Sequence, residues 1–444
     1  MTRILHRQIH TDMPVAAGGE GVYLIDTDGK RYLDASSGAA VSCLGHGDKD
    51  VIEAIKAQLD TMAFAHTGFF TSEPSETLAD LLIEAAPDGI GAVYFVSGGS
   101  EAIEAALKMA RQYFVEIGEL KRSKFIARHQ SYHGNTLGAL SVGGNVARRE
   151  PFKELLMDVA HIAPCYPYRD RRDDESEEEY GLRVANELET EIQRLGAENV
   201  CAFVAETVGG ATAGVLPPVT GYLKRIRDIC NAHGILLILD EVMCGMGRTG
   251  HTFACAEDGV VPDLIAVAKG LGAGYQPIGA TLVHERIFNA FKDGSGFFQH
   301  GHTYMGHPAA CAGALAVQTK IKENGLLSQV RERGEQLGEK LHERFGNHPH
   351  IGDIRGRGLF RAIEIVADRT TKEPFDPGLK IFAKIKANAM KEGLVCYPGG
   401  GTADGARGDH VLLAPPFIIS PDELDELVKK LGNAVDAALR EAGV

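Results

Sequence analysis

Two neighbouring carboxylates, Asp240 and Glu241, end the apolar run ILLILDE at 235–241. A strand apolar on both faces ends in two acids where a cation or an ion pair needs one there, or where the strand meets solvent. Lys269 follows the run LIAVA (264–268) and precedes Gly270, Gly272 and Gly274. A lysine at the end of a buried run, beside a loop roomy enough for a ligand, can form an imine because burial lowers its pKa. The plainer reading is a surface lysine whose stem is tucked in. In SGGSEAIEAALKMAR (97–111) an apolar run gives way to a helix that opens near Glu101. Free amides and a hydroxyl at a helix start bind anions, phosphate above all; an ordinary capped turn is the alternative. Tyr132-His133-Gly134 follows the run FIAR (125–128) and offers an aromatic face to a planar group, or ordinary packing.

Three other patterns carry less. Gly245, Gly247 and Gly250 have dinucleotide spacing, but the acids precede the glycines instead of following about 20 residues later, and no helix continues from them. His300, His302 and His307 in HGHTYMGHP lack carboxylates or cysteines at ligand spacing, so no metal is expected. No Gly-Lys-Ser or Gly-Lys-Thr occurs, which leaves nucleoside triphosphates unsupported.

The polar residues of interest stand at the ends of short apolar runs, at 92–97, 125–128, 200–206, 235–241, 264–268 and 279–283, separated by amphipathic helices. Runs without polar alternation imply strands buried on both faces. The fold class is therefore α/β, with a mainly parallel sheet covered by helices on both faces and ligands at the strand ends. GVYLIDTDGKRYLD (21–34) predicts a hairpin around Asp28-Gly29. Helices are predicted at 50–59 and at 75–86, the second capped by Ser75. After a helix at 308–323, further helices, a strand at 358–366 and a last helix at 421–442 make a smaller α+β domain that the N-terminal hairpin joins. The acid-rich segment 170–179 reads as a solvated loop or a frayed helix end.

With 44% hydrophobic and 24% charged residues among 444, the composition is that of an ordinary globular protein. Acids outnumber Lys and Arg, 60 to 46, and the net charge of −14 argues against nucleic acid and anionic membranes as partners. Eight scattered cysteines without a CxxC pair fit a reducing compartment. MTRILHRQIHTDMP lacks the apolar stretch of a signal peptide, and a cytoplasmic location is expected.

A phosphate cup, an aromatic, a carboxylate and a lysine at successive strand ends match the needs of pyridoxal phosphate. The carboxylate keeps the pyridine nitrogen protonated, the lysine forms the imine and the ring is the electron sink. The chain resembles the class III aminotransferases, the ω-aminotransferase group within fold type I of the pyridoxal phosphate enzymes. The resemblance runs from about Gly21 to about Leu427 and is most specific in ILLILDEVMCGMGRTG and PDLIAVAKGLGAGYQPIGA.

That resemblance implies that Asp240 pairs with the pyridine nitrogen, Val242 packs on one ring face and Lys269 carries the imine. Gly99 and Ser100 would hold the phosphate, and Tyr132 would cover the other ring face with His133 and Gly134 beside it. Glu206 matches the glutamate of the family's Ala-Glu-Pro, with Thr207 in place of that proline. Thr303 matches a threonine that reaches the phosphate from the neighbouring subunit, implying a homodimer or dimer of dimers with shared active sites. The implied division is 1–60 with the small domain, 61–320 as the large cofactor-binding domain and 321–444 as the C-terminal small domain. The implied reaction is ping-pong transfer of an amino group from an ω-amino acid, diamine or amine to a keto acid; a racemase, epimerase or lyase on the same cofactor is the alternative. Leu412 stands where the 4-aminobutyrate and ornithine members carry an arginine, which places pyruvate ahead of 2-oxoglutarate. Arg407, in a glycine-rich loop, is near the mobile arginine of the pyruvate-type members. Ala40, where some amine transaminases have a large aromatic, implies a roomy pocket that Phe69 and Phe70 could line.

Overall fold

Fifteen strands form three sheets in a computed structural model of the chain, which describes residues 3–444. The strands are β1 (Ala16–Glu20), β2 (Tyr23–Asp26), β3 (Arg31–Asp34), β4 (Ile90–Val96), β5 (Lys124–Arg128), β6 (Ala160–Ile162), β7 (Val200–Glu206), β8 (Leu236–Asp240), β9 (Leu264–Val267), β10 (Gly279–His284), β11 (Ile351–Arg357), β12 (Phe360–Ile365), β13 (Leu394–Val395), β14 (Tyr397–Gly400) and β15 (Asp409–Leu413).

The large sheet has the order β4-β10-β9-β8-β7-β5-β6. Its β6-β5-β7-β8-β9 pairs are parallel, and β10 runs antiparallel to both of its neighbours. The link from Val267 to Gly279 holds only the short helical turn Lys269–Leu271, too little for a crossover helix, so β10 returns in the opposite sense. Every residue of β7, β8 and β9 is buried. Alternate residues face opposite sides: Phe203, Leu237 and Ile265 enter one core, Val204, Ile238 and Ala266 another. The helices Glu177–Leu195 and Tyr222–His233 fill the first core, and the helix Gly99–Glu116 fills the second. Burial of one such large apolar side chain stabilises by about 1.5–3 kcal/mol, and two covered faces explain why these strands show no polar alternation.

A third core gathers Val22, Leu33, Val51 and Ile55 from the start of the chain with residues from Val317 to Leu439. The hairpin forms as expected, with Gly29 at φ +80° and Asp26 Oδ1 accepting from Asp28 N and Lys30 N. It is pinned to the C-terminal half because β3 pairs with β13. One local expectation needs correction, and one is sharpened. The helix expected from Ser75 starts earlier, at Glu73, with Ser72 as its cap, because Pro74 suits the first turn and Ser75 supplies the reciprocal bond back to Ser72 N. The acidic segment ends in a helix capped by Ser176, and Glu177, Glu178 and Glu179 lie in its first turn, where the helix dipole favours negative charge.

Candidate functional site

The parallel strands bring their C-terminal ends to one edge of the large sheet, and the polar residues that close them meet there. β8 ends on Asp240, β7 on Glu206, and β9 runs into Ala268-Lys269. β4 runs into Ser97-Gly98 and the helix Gly99–Glu116, and β5 leads to Tyr132-His133-Gly134. A cavity of about 120 Å³ is lined by Gly99, Ser100, Tyr132, His133, Gly134, Glu206, Val208, Asp240, Val242, Met243, Cys244 and Lys269.

Asp240 is held from two sides. Its Oδ1 accepts from Val242 N at 2.9 Å, and His133 Nδ1 donates to Oδ2 at 2.7 Å. Both side chains are buried, and His133 Nε2 has no hydrogen-bond partner among the described residues. Glu206 Oε1 accepts from Tyr132 N and Oε2 from Gly210 N, so this carboxylate fixes the two loops that flank it. Burial, followed by the charge of Asp240, pushes Glu206 above the usual carboxylate range, against the opposing pull of His133 and Arg128.

Lys269 has φ +46°, a strained conformation for a residue with a side chain, of a kind that concentrates at functional sites. Burial lowers its amine to about 8, although Asp240 and Glu206 pull the other way. Its Nζ makes no hydrogen bond or ion pair among the described residues.

The same cavity is lined by the start of the helix Gly99–Glu116, whose first amides lack intrahelical partners by helix geometry. Close packing leaves no room for side chains here. A Cβ on Gly99 would lie 2.7 Å from Val242 Cγ1, and one on Gly134 would lie 2.5 Å from Ser100 Oγ. Ser100 Oγ accepts from Asn135 N, and Asn135 Nδ2 donates to the Tyr132 hydroxyl at 3.1 Å. The Arg148 guanidinium lies over the Tyr132 ring, 4.5 Å from its centroid. Arg148 is brought there by the return of the chain: Gly144 N donates to Ser131 O and Oγ, and Arg148 N to Asn145 Oδ1.

Lys269, Asp240, Gly99, Ser100, Tyr132, His133, Glu206 and Val242 thus share one cavity. Ala40 is buried at φ +63° in an apolar cluster with Leu412, Val208 and Met243, the last two of which line the cavity. The other expected residues are not brought to the cavity. Thr303 is exposed in the turn 303–306. Phe69 and Phe70 are 83% and 67% exposed. Arg407 is exposed and paired with Asp404 at 2.8 Å and Glu373 at 3.2 Å. Sequence reading missed Asn135, Arg148, Val208, Met243 and Cys244; Asn135 directly follows Tyr132-His133-Gly134, and that adjacency was its only signal.

The family model described as Aminotransferase class-III matches residues 6–435. The chain is 47% identical to an uncharacterized aminotransferase of Schizosaccharomyces pombe, over 96% of this chain and 93% of that one. It is 34% identical to the diaminobutyrate–2-oxoglutarate transaminase of Halomonas elongata, over 98% and 94%. Among solved structures, the omega transaminase of Pseudomonas jessenii in complex with PMP is 33% identical with a TM-score of 0.92, over 99% of this chain and 97% of that one.

Proposed function

The chain belongs to the class III aminotransferases, and on that premise we propose that it moves an amino group from an ω-amino acid, diamine or amine to a keto acid, pyruvate ahead of 2-oxoglutarate, in two half-reactions. Pyridoxal 5'-phosphate is the cofactor of this class, and when bound it supplies an electron sink for carbanion character at the substrate carbon. The residues present fit that group. The floor between Gly99 and Val242 and the seam between Gly134 and Ser100 are cradles that a single Cβ would fill. The acid, the amine and the helix start face one cavity.

Gly99, Ser100 and the helix amides would hold the phosphate. Val242 and Tyr132 would take the two faces of the ring. Asp240, fixed by His133 and Val242 N, would keep a proton at the pyridine nitrogen. Lys269 Nζ would hold the cofactor and, once released, take a proton from the substrate carbon and return it. An amine with a pKa of about 8 suits that exchange, because a sizeable fraction is neutral near physiological pH. Glu206 sets the path of the loops at 132 and 210. The observation that carries this reading is the meeting of Lys269 and the His133–Asp240 pair at adjacent strand ends.

Leu412 supports pyruvate as acceptor, since an apolar cluster occupies the place where a fixed arginine would hold a second carboxylate. A homodimer or dimer of dimers with Thr303 reaching the partner's phosphate is supported by the exposed aromatic pair Phe64 and Tyr304, ring centroids 5.8 Å apart, at that turn. The test is a half-reaction. An amino donor without keto acid should convert all of the bound cofactor to its amine form, and pyruvate should restore it faster than 2-oxoglutarate. Partial conversion that no keto acid reverses would count against transfer. Mixing Lys269→Ala with a Thr303 variant weak in cofactor binding should recover activity in heterodimers if the sites are shared.

A further inference from the structure

A second cavity, of about 800 Å³, adjoins the cofactor cavity at the Arg148–Tyr132 stack, since Arg148 lines the one and Tyr132 the other. Its charged and titratable walls are one-sided. His6, Arg7, Arg148 and Lys386 line it, and no Asp or Glu does among the described residues. This happens in a chain with 14 more acids than Lys and Arg. The side chains of Arg7, Arg148 and Lys386 make no ion pair or hydrogen bond among the described residues. Several arginines elsewhere in the protein are matched to acids: Arg355 with Asp353 and Glu364, Arg227 and Arg286 with Asp263, Arg357 with Asp258. Unmatched like charges around one hollow repel each other, and concentrated positive potential draws anions.

Arg148 is the member best placed to make contact. Its guanidinium is steadied by the ring of Tyr132, its backbone N–H is tied to Asn145 Oδ1, and its guanidinium N–H groups make no hydrogen bond among the described residues. A steadied guanidinium offers a planar fork that matches a carboxylate in two parallel bonds. Its charge also adds, after burial, to the lowering of the Lys269 amine.

We propose that the second cavity receives the tail of the amine donor and that Arg148 binds a carboxylate at the end of that tail, with Arg7 and Lys386 drawing the anion in. The inference rests on the aminotransferase reading and narrows it. Donors with a carboxylate remote from the transferred amine are favoured, neutral alkyl amines come second, and diamines, which would bring a second ammonium among cations, come last.

The test compares three donors of one length, 5-aminopentanoate, pentylamine and 1,5-diaminopentane, in half-reactions of the holoenzyme followed by cofactor absorbance. The wild type should react in that order, and its rate with 5-aminopentanoate should fall as ionic strength rises. Arg148→Gln should cut the preference for 5-aminopentanoate over pentylamine by about ten- to a hundredfold, the usual range for a charge-assisted pair. Arg148→Lys, which keeps the charge without the fork, should lose less. Lys386→Gln should flatten the salt dependence. Pentanoate, which cannot react, should bind the wild-type holoenzyme by calorimetry and bind Arg148→Gln at least about tenfold more weakly. An unchanged preference in both Arg148 variants, or a wild type that prefers the diamine, would overturn the proposal. A wild type that none of the three donors converts would overturn the proposed donor classes, and this inference with them.

Discussion

The cofactor cavity and its basic neighbour meet at one aromatic ring, yet they are built on opposite principles. In the first, the acids are held in place: Asp240 has a histidine and a backbone amide, and Glu206 has two backbone amides. In the second, Arg7, Arg148 and Lys386 make no side-chain ion pair or hydrogen bond among the described residues, and the neighbouring loop 401–408 keeps Arg407 on exposed acids. A cavity that must hold one group in one pose gains from fixed partners, because preorganised polar groups need no rearrangement at the moment of reaction. A cavity that must admit and release substrates keeps its charges available. Chemistry and selectivity are thereby placed in different hands, and variants of the two regions should fail differently.

The largest expected effect is in the first region. Lys269→Ala should abolish transfer for every donor, because no other amine lies on the cavity wall among the described residues. The cofactor should still bind through the phosphate cup and the ring contacts, and dialysis with spectroscopy will show whether it does. Loss that differs between donors would move Lys269 into substrate selection. Asp240→Asn should come next, with the fold kept and activity down by several decades, since an amide cannot keep the pyridine nitrogen protonated. It should affect all donors alike, and near wild-type turnover would refute the role.

The sequence revealed much of the first region and little of the second, for a physical reason. Asp240, Lys269 and Tyr132 follow apolar runs, and a polar residue ending a doubly buried strand is a large local change in polarity. Parallel strands then bring all such ends to one edge, so knowing the strands was enough to know the neighbours. Arg148 has no such context. It reaches Tyr132 only because Ser131 ties the chain back at Gly144, a contact across 13 positions with no periodic trace. Arg7 and Lys386 come from opposite ends of the sequence. β1 also went unseen, because AAGGE has no apolar alternation and pairs only through its neighbour β2. Long-range assembly of loops is the part that local pattern does not encode.

Arg407 tests whether the second region moves. As a swinging carboxylate anchor for the keto acid it would leave Asp404 and Glu373, and Arg407→Ala would slow the pyruvate half-reaction selectively by about one to two decades, the equivalent of roughly 1.5–3 kcal/mol for a charge-assisted contact. Neutral amines should be spared. Equal change for pyruvate and a neutral amine would show a residue that only ties down its loop, leaving the acceptor's carboxylate to another cation.

The smallest expected effect concerns the foot of that loop. Asp409 pairs with Gly400 where β14 and β15 leave the sheet, and Phe382 N donates to its Oδ1 at 3.0 Å. Unlike Asp240, this buried acid has no side-chain partner among the described residues, and burial raises it to about 6, with the single amide pulling the other way. The sign of the consequence follows from the two states. Below about pH 4 the carboxyl is protonated whether the chain is folded or not, and it does not make stability depend on pH. Between about pH 4 and 6 the unfolded chain gives up the proton while the folded chain retains it, so stability falls as pH rises. Above about pH 7 both states are ionised and the folded one carries the full desolvation cost, of the order of 1–3 kcal/mol. Asp409→Asn keeps an acceptor for Phe382 N and removes the charge. Its thermal midpoint should match the wild type near pH 4 and exceed it by a few degrees at pH 8, with the gap opening in between. A constant gap at all pH values would place the effect in packing, and a gap that opens toward low pH would mean that Asp409 is stabilised as the anion by a cation of the basic cavity, erasing the contrast between the two regions at this residue.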